Sequence, residues 1–376
     1  QIKEKQLAQV AALYQEEGKA WPGLKWSEAP LILSFGEGEF YALGLKAEGF
    51  EQGETYAVAK GDEWGFGQMK MHPAFEIGGQ AAFFFKMSGE RAVKILAHER
   101  FHRYQMDRFQ EGEGVQPRGY KQHLNAENVA LMGLEEELLR EFVQQGRLES
   151  IREYAAVYQE RAKLLDEESV AWEEMQLRME GMADYVAAKM MGDEKSVLAK
   201  SDEGSLVENA MKWRNYGVGA ALGLALDALK VEGWKEQVEK GVGLNGLLQG
   251  NLKLSNEEKK QLVAKAKTRF QFKRKRKQVA KQVAEYTGRL DALKAEHESK
   301  EGFCVKVGNL YGVGISGGGR SDAIYYLEDG SQVSVKDQSV SHSMDGRWSF
   351  AMADDYEYDP GRFGAGQYAA LEIGRA

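Results

Sequence analysis

Two histidines four residues apart are the side chains of this chain best suited to chemistry. They lie in ILAHERFHRYQ, where His98, Glu99 and His102 form the pattern HExxH. Four residues make about 400° of α-helix, so both imidazoles project from one face, about one turn apart. At that spacing both can bind one zinc ion, each at about 2.0–2.1 Å. Glu99 lies to one side, where it can take a proton from a metal-bound water. The alternative is two structural histidines on an amphipathic helix.

A zinc site of this kind needs a third protein ligand and leaves one position for water. The single cysteine, Cys304, excludes a thiolate cluster, so the ligand must be a histidine or a carboxylate. In MEGMADYVAAKM, Glu180 is surrounded by apolar residues and is followed four positions later by Asp184. We expect Glu180 to bind the metal and Asp184 to accept the free N–H of one ligating imidazole. The rival ligands are the adjacent carboxylates 135–137 in GLEEELLREF, namely Glu135, Glu136 and Glu137.

An HExxH motif followed on a later helix by ExxxD, here Glu180 to Asp184, resembles the gluzincin metallopeptidases. A third segment, WRNYGVGAALGL, is similar to the Tyr-x-x-Gly segment of aminopeptidase-N-like gluzincins through Tyr216 and Gly219. The resemblance implies that the Tyr216 hydroxyl steadies the oxyanion formed during hydrolysis, although a tyrosine of the core at the start of a helix would look the same. Arg214 and His123 are weaker candidates for that role.

The chain departs from the family in two places. The interval between His102 and Glu180 is 77 residues, and two predicted helices, 126–145 and 149–166, fill it as an insertion. Aminopeptidases of this group read the substrate amino terminus with a Gly-x-Met-Glu-Asn strand, whereas residues 65–71 read GFGQMKM and contain no glutamate. The resemblance therefore favours an endopeptidase over an aminopeptidase.

The elements that position these residues predict an α+β protein with two domains. An opening helix at 2–17 precedes a small sheet at 30–87, built from PLILSF, EFYALGLK, ETYAVAK and AAFFFKM. A helical, zincin-type body follows at 88–300, with helices at 89–109, 126–145, 149–166, 168–191, 205–230 and 256–297. The sheet and the body form the catalytic domain, 1–300. Alternating apolar residues and an Asp329-Gly330 turn predict a β-rich module at 301–376. We expect the strand AAFFFKM to pair with an extended peptide substrate.

Composition limits the partners. The net charge of −8 argues against general binding to nucleic acid, and no apolar run approaches the roughly 20 residues that span a membrane. Residues 256–300 contain 14 Lys or Arg and 6 Asp or Glu, which we interpret as a solvated helix facing an acidic body. Because the chain starts at Gln1 and has one cysteine, as in many exported bacterial proteins, we expect export after signal-peptide removal, with a cytoplasmic location as the alternative.

The sequence thus predicts a zinc hydrolase that cleaves peptides or proteins. A catalytically silent binding or assembly protein with the same fold is the rival hypothesis, and a hydrolase of non-peptide amides or esters is a third. The oligomeric state stays open.

Overall fold

A computed structural model describes residues 2–36, 38–61, 71–110, 124–199 and 214–298, together with eight strands between residues 303 and 375. The chain divides into two compact units, one formed by residues 1–116 and 128–275 and the other by residues 117–127 and 276–376. The domain boundary predicted after residue 300 stays a prediction.

The first unit contains a six-stranded mixed sheet with the strand order β3-β4-β2-β1-β6-β5. Strands β1 and β6 are parallel, and all other neighbours are antiparallel. The strands are β1 (Leu31–Ser34), β2 (Glu39–Leu43), β3 (Glu51–Gln52), β4 (Ala57–Lys60), β5 (Met71–Ile77) and β6 (Gln80–Lys86).

Strand β6 leads to the helix that carries HExxH. Four consecutive residues of β6, Ala82 to Phe85, are buried, which explains its unbroken apolar run because both faces of the strand are covered. Its two neighbours, β1 and β5, occupy both of its edges. The prediction that an extended peptide adds to this strand is therefore wrong, since strand addition requires a free edge. The sheet edge on this side is β5.

The described α-helices belong to the first unit, and α3 and α11 also have residues in the second. They are α1 (Ile2–Tyr14), α2 (Ala92–Arg108), α3 (Ala126–Gln145), α4 (Leu148–Ala162), α5 (Glu167–Gln176), α6 (Met182–Met191), α7 (Arg214–Ala228), α8 (Trp234–Glu239), α9 (Leu244–Leu252), α10 (Asn256–Arg269) and α11 (Phe272–Glu298). A π-helical turn, Leu177–Gly181, joins α5 to α6. Helix α6 packs against both α2 and α7.

The N-terminal mixed sheet and the helical body agree with the predicted α+β class. The second unit contains two four-stranded sheets, in the orders β13-β10-β9-β8 and β11-β12-β7-β14. Their strands are β7 (Phe303–Lys306), β8 (Leu310–Ser316), β9 (Ser321–Leu327), β10 (Gln332–Gln338), β11 (Val340–His342), β12 (Trp348–Met352), β13 (Glu357–Asp359) and β14 (Glu372–Arg375). Within the described residues, every helix is too short or too polar to cross a lipid bilayer.

Candidate active site

The HExxH helix, α2, is packed into the first unit by its buried face. The side chains of Leu96, Ala97 and Phe101 are completely buried on this face. The Arg100 guanidinium donates a hydrogen bond to the carbonyl of Trp26 at 3.0 Å and lies over the Phe83 ring of β6. Arg100 thus joins α2 to strand β6 and to the segment that precedes β1.

Three possible ligand atoms converge where α2 meets the π-helical turn. The Nε2 atoms of His98 and His102 are 3.0 Å apart, and Oε2 of Glu180 lies 3.3 Å from each of them. In a tetrahedral zinc site with bonds of about 2.0–2.1 Å, neighbouring ligand atoms are about 3.3 Å apart. Oε2 of Glu180 is buried and faces both Nε2 atoms. The three atoms thus fit the donor set and the size of a zinc site.

Each imidazole is oriented by an acceptor on its far side. Oδ1 of Asp184 lies 2.7 Å from Nδ1 of His98, and Oε1 of Gln105 lies 2.7 Å from Nδ1 of His102. An acceptor at Nδ1 stabilises the proton on that nitrogen and leaves Nε2 with its lone pair. The structure therefore turns both Nε2 atoms toward Glu180.

The charges of this cluster stabilise one another in the metal-free chain. Burial alone would lower the pKa of His98, but hydrogen bonds and charge interactions with Asp184 and Glu180 outweigh it and raise the pKa to about 9. Burial likewise favours a protonated Glu180, yet His102 and His98 hold the pKa of this carboxyl well below its usual range. His98 therefore carries a second proton at neutral pH, and a metal ion that binds here replaces it.

Tyr216, at the start of α7, lies against the same cluster. Its ring is stacked on the His98 ring, with centroids 5.6 Å apart and an interplanar angle of 7°. Burial raises the pKa of Tyr216 well above its usual value. The Glu180 carboxylate, which accepts a hydrogen bond from the hydroxyl, raises the pKa further, and so does the charge of Glu99. The hydroxyl consequently stays protonated and can act as a donor. Glu99 is only partly buried, on the side of α2 that solvent reaches.

A glycine contact brings α7 this close. A Cβ atom added to Gly181 would lie 2.5 Å from Cα of Gly219, and one added to Gly219 would lie 2.6 Å from Cα of Gly181. Two backbones therefore touch where the turn carrying Glu180 crosses α7. Tyr216 is one helical turn away from that contact, which explains why it faces Glu180.

The rival carboxylates of α3 are engaged elsewhere. Glu135 forms buried ion pairs with Arg161, at 2.7 Å, and with Arg214. Glu136 lies 3.5 Å from Arg214, and Glu137 forms an ion pair with Lys275. Within the described part of the chain, the group of ligand-type side chains that converges closely enough to hold a metal is His98, His102 and Glu180.

Arg214 and His123 were the weaker candidates for the oxyanion donor. Arg214 is buried in the ion pairs of α3, so the structure does not bring it to the histidines as an oxyanion donor. His123 lies outside the described residues.

The sequence analysis did not identify Gln105, although the signal is present in the sequence. A glutamine three residues after a histidine lies on the same side of a helix and can reach its ring.

Comparison with protein-family models, with curated proteins and with solved structures gives no match. The functional interpretation therefore depends on the residues and geometry of this chain.

Proposed function

We propose that the protein is a zinc-dependent hydrolase of gluzincin type, and specifically an endopeptidase. The observation that supports it most is the triangle of His98 Nε2, His102 Nε2 and Glu180 Oε2, with sides of 3.0, 3.3 and 3.3 Å. Its dimensions match those of a tetrahedral zinc site, and its N₂O donor set is common in catalytic zinc sites. Two histidines that only packed on one face of α2 would not need a buried carboxylate oxygen that faces both rings.

The chain supplies the remaining groups of a hydrolytic site. A zinc ion, when bound, supplies a Lewis acid that polarises water and the substrate carbonyl. The Glu99 carboxylate accepts the proton of the attacking water and delivers it to the nitrogen of the leaving amine. The protonated Tyr216 hydroxyl donates to the oxygen on which negative charge develops.

The substrate class follows from two further features. Residues 65–71 contain no glutamate that could bind a substrate amino terminus. Among the described strands, β5 lies at the edge of the sheet, and an extended peptide that added there would extend the sheet by one strand. Both features favour cleavage within a peptide chain.

The direct test is Glu99→Gln compared with Glu90→Gln, an exposed glutamate just before the same helix. We expect Glu99→Gln to keep one zinc per chain, because it removes none of the proposed ligands. Peptide cleavage should fall below about one-hundredth of the parent rate, because the general base is lost. Glu90→Gln should match the parent in both assays. Unchanged cleavage by Glu99→Gln would contradict the assigned mechanism.

The substrates used in this assay separate the alternatives. An acetyl-capped peptide and its uncapped form should be cleaved at similar rates, and a strong preference for the uncapped form would contradict the endopeptidase assignment. A parent protein that binds zinc but cleaves no member of a peptide library would favour a binding or assembly protein. If the protein cleaved only non-peptide amides or esters, and no peptide, the result would favour a hydrolase of those compounds.

A further inference from the structure

Gln105 connects one histidine to the segment that carries the carboxylate. It lies one turn after His102 on α2, and its side chain is 1% exposed. Oε1 is 2.7 Å from Nδ1 of His102, while Nε2 donates to the carbonyls of Arg178 at 3.1 Å and Met179 at 2.9 Å. One amide thus links a candidate ligand on α2 to the π-helical turn that ends with Glu180 and Gly181.

The partners of this amide determine its direction. Backbone carbonyls can only accept hydrogen bonds, so the end of Gln105 that faces Arg178 and Met179 must be the NH₂ group, and both of its hydrogens are used there. The oxygen then faces His102, and because it can only accept, Nδ1 of His102 must carry a hydrogen. In the neutral imidazole, Nε2 is left with its lone pair.

We propose that Gln105 is a positioning residue that holds His102 with Nδ1 protonated and Nε2 directed at the metal. This inference rests on the proposed metal site. Gln105 differs from Asp184 in two respects. It is neutral, so it orients its histidine without adding negative charge, and it is tied to the backbone beside Glu180. Loss of Gln105 therefore leaves the His102 ring free to rotate. It also removes one connection between α2 and the π-helical turn.

The test replaces Gln105 by methionine, which has a similar length and no hydrogen bond to offer. Zinc affinity, measured by competition with a chromophoric chelator, should fall by about 10–100-fold, as is typical when the acceptor behind a ligating histidine is lost. Cobalt substitution gives a second readout, because the ring N–H of each ligating histidine is then shifted outside the normal proton spectrum. We expect two such exchangeable signals in the parent, each protected by its acceptor, and only that of His98 in Gln105→Met.

Gln249 provides a matched control. Its amide also joins two helices, since Nε2 donates to the Ala155 carbonyl at 2.7 Å and Oε1 accepts from Gln159. No histidine takes part in this bridge. Gln249→Met should therefore keep both cobalt-shifted signals and the zinc affinity of the parent, even if its melting temperature falls as much as that of Gln105→Met.

Two results would overturn the inference. One is a cobalt-loaded parent with a single protected ring N–H, which requires no variant to fold. The other is a folded Gln105→Met protein that keeps both signals and the parent zinc affinity. Failure of the parent to bind zinc or cobalt would contradict the proposed function instead, so the two failures are distinguishable.

Discussion

At the scale of residues, Glu180 and Asp184 have different proposed roles, so substitutions of the two should lower the zinc affinity by different amounts. Glu180 faces both Nε2 atoms at 3.3 Å, whereas Asp184 contacts the outer nitrogen of His98, at 2.7 Å. Glu180→Ala should abolish tight zinc binding because it removes a ligand. Asp184→Asn should weaken it by about 10–100-fold, because an amide oxygen is a weaker acceptor than a carboxylate and the asparagine can also turn its NH₂ group toward the ring.

Glu136→Ala is the control for both variants in the same zinc titration. Glu136 lies on α3, its carboxylate is 3.5 Å from Arg214, and it is not one of the three side chains that converge at the candidate site. Its zinc affinity should equal that of the parent. Zinc binding by Glu180→Ala at parental affinity would show that the third ligand lies elsewhere.

The protonation of His98 predicts how the stability of the metal-free protein depends on pH. The pKa of His98 is about 9 in the folded chain, compared with an ordinary value of 6.5. Because the folded state holds the proton more tightly, this group stabilises the fold fully below pH 6.5, and the contribution is lost as the pH rises through about 9. With a chelator present, the free energy of unfolding should therefore fall between these two pH values.

Urea unfolding at a series of pH values measures this dependence. The fall should be much smaller in His98→Gln, which cannot take up the second proton. An equal fall in the parent and in His98→Gln would assign the effect to other groups.

Sequence spacing was sufficient to predict that His98 and His102 lie on one face of α2, because a helix fixes the relation between residues four apart. It left Glu180 and the carboxylates 135–137 as alternatives, since only the packing of α3 decides between them. In the structure the buried guanidinium groups of Arg161 and Arg214 pair with Glu135, and no sequence pattern connects residues so far apart. The same packing explains why Arg214 was a wrong candidate for the oxyanion donor.

At the scale of elements, the contact between Gly181 and Gly219 determines how α7 approaches the π-helical turn. An alanine at 219 would place its Cβ 2.6 Å from Cα of Gly181, so one of the two segments must move. We expect Gly219→Ala to lower the free energy of unfolding by about 1–3 kcal/mol, as overpacking of a core typically does. It should also weaken zinc binding, because Glu180 precedes the contact directly.

Gly246→Ala is the matched control in helix α9. A Cβ atom at this position meets no other atom within 4 Å. Alanine is favoured over glycine inside a helix by about 1 kcal/mol, so this variant should be as stable as the parent or more stable. Chemical unfolding and zinc titration of both variants check the pair, and equal behaviour of the two would argue against a functional contact at Gly219.

Elements with a regular period were the ones the sequence could predict. The helix predicted at 126–145 has those bounds in the structure, as Ala126–Gln145. Strand β5 was not predicted because MHPAFEI contains a proline and lacks alternation of apolar and polar residues. A proline is tolerated in an edge strand. Helix α8, with six residues, is too short to show a period. The predicted helix 256–297 is broken at Gln271, whose φ of +52° is a local left-handed conformation.

At the scale of the whole molecule, the order of elements along the chain predicted the α+β class of the first unit. Four short β-prone runs and their Gly-rich turns precede a long helical region, and that order alone separates the sheet from the helices. The sheet order could not be predicted, because the parallel pairing of β1 with β6 joins residues on either side of four other strands. This pairing also explains why the strand predicted to bind a peptide has no free edge.

The central claim is that His98, His102 and Glu180 hold one zinc ion. A crystal of the full chain grown with one equivalent of zinc, and measured on both sides of the zinc absorption edge, tests it most directly. The account predicts one anomalous peak per chain, about 2.0–2.2 Å from Nε2 of both histidines and from Oε2 of Glu180. An empty position between these three atoms, or a zinc peak held by other side chains, would contradict it.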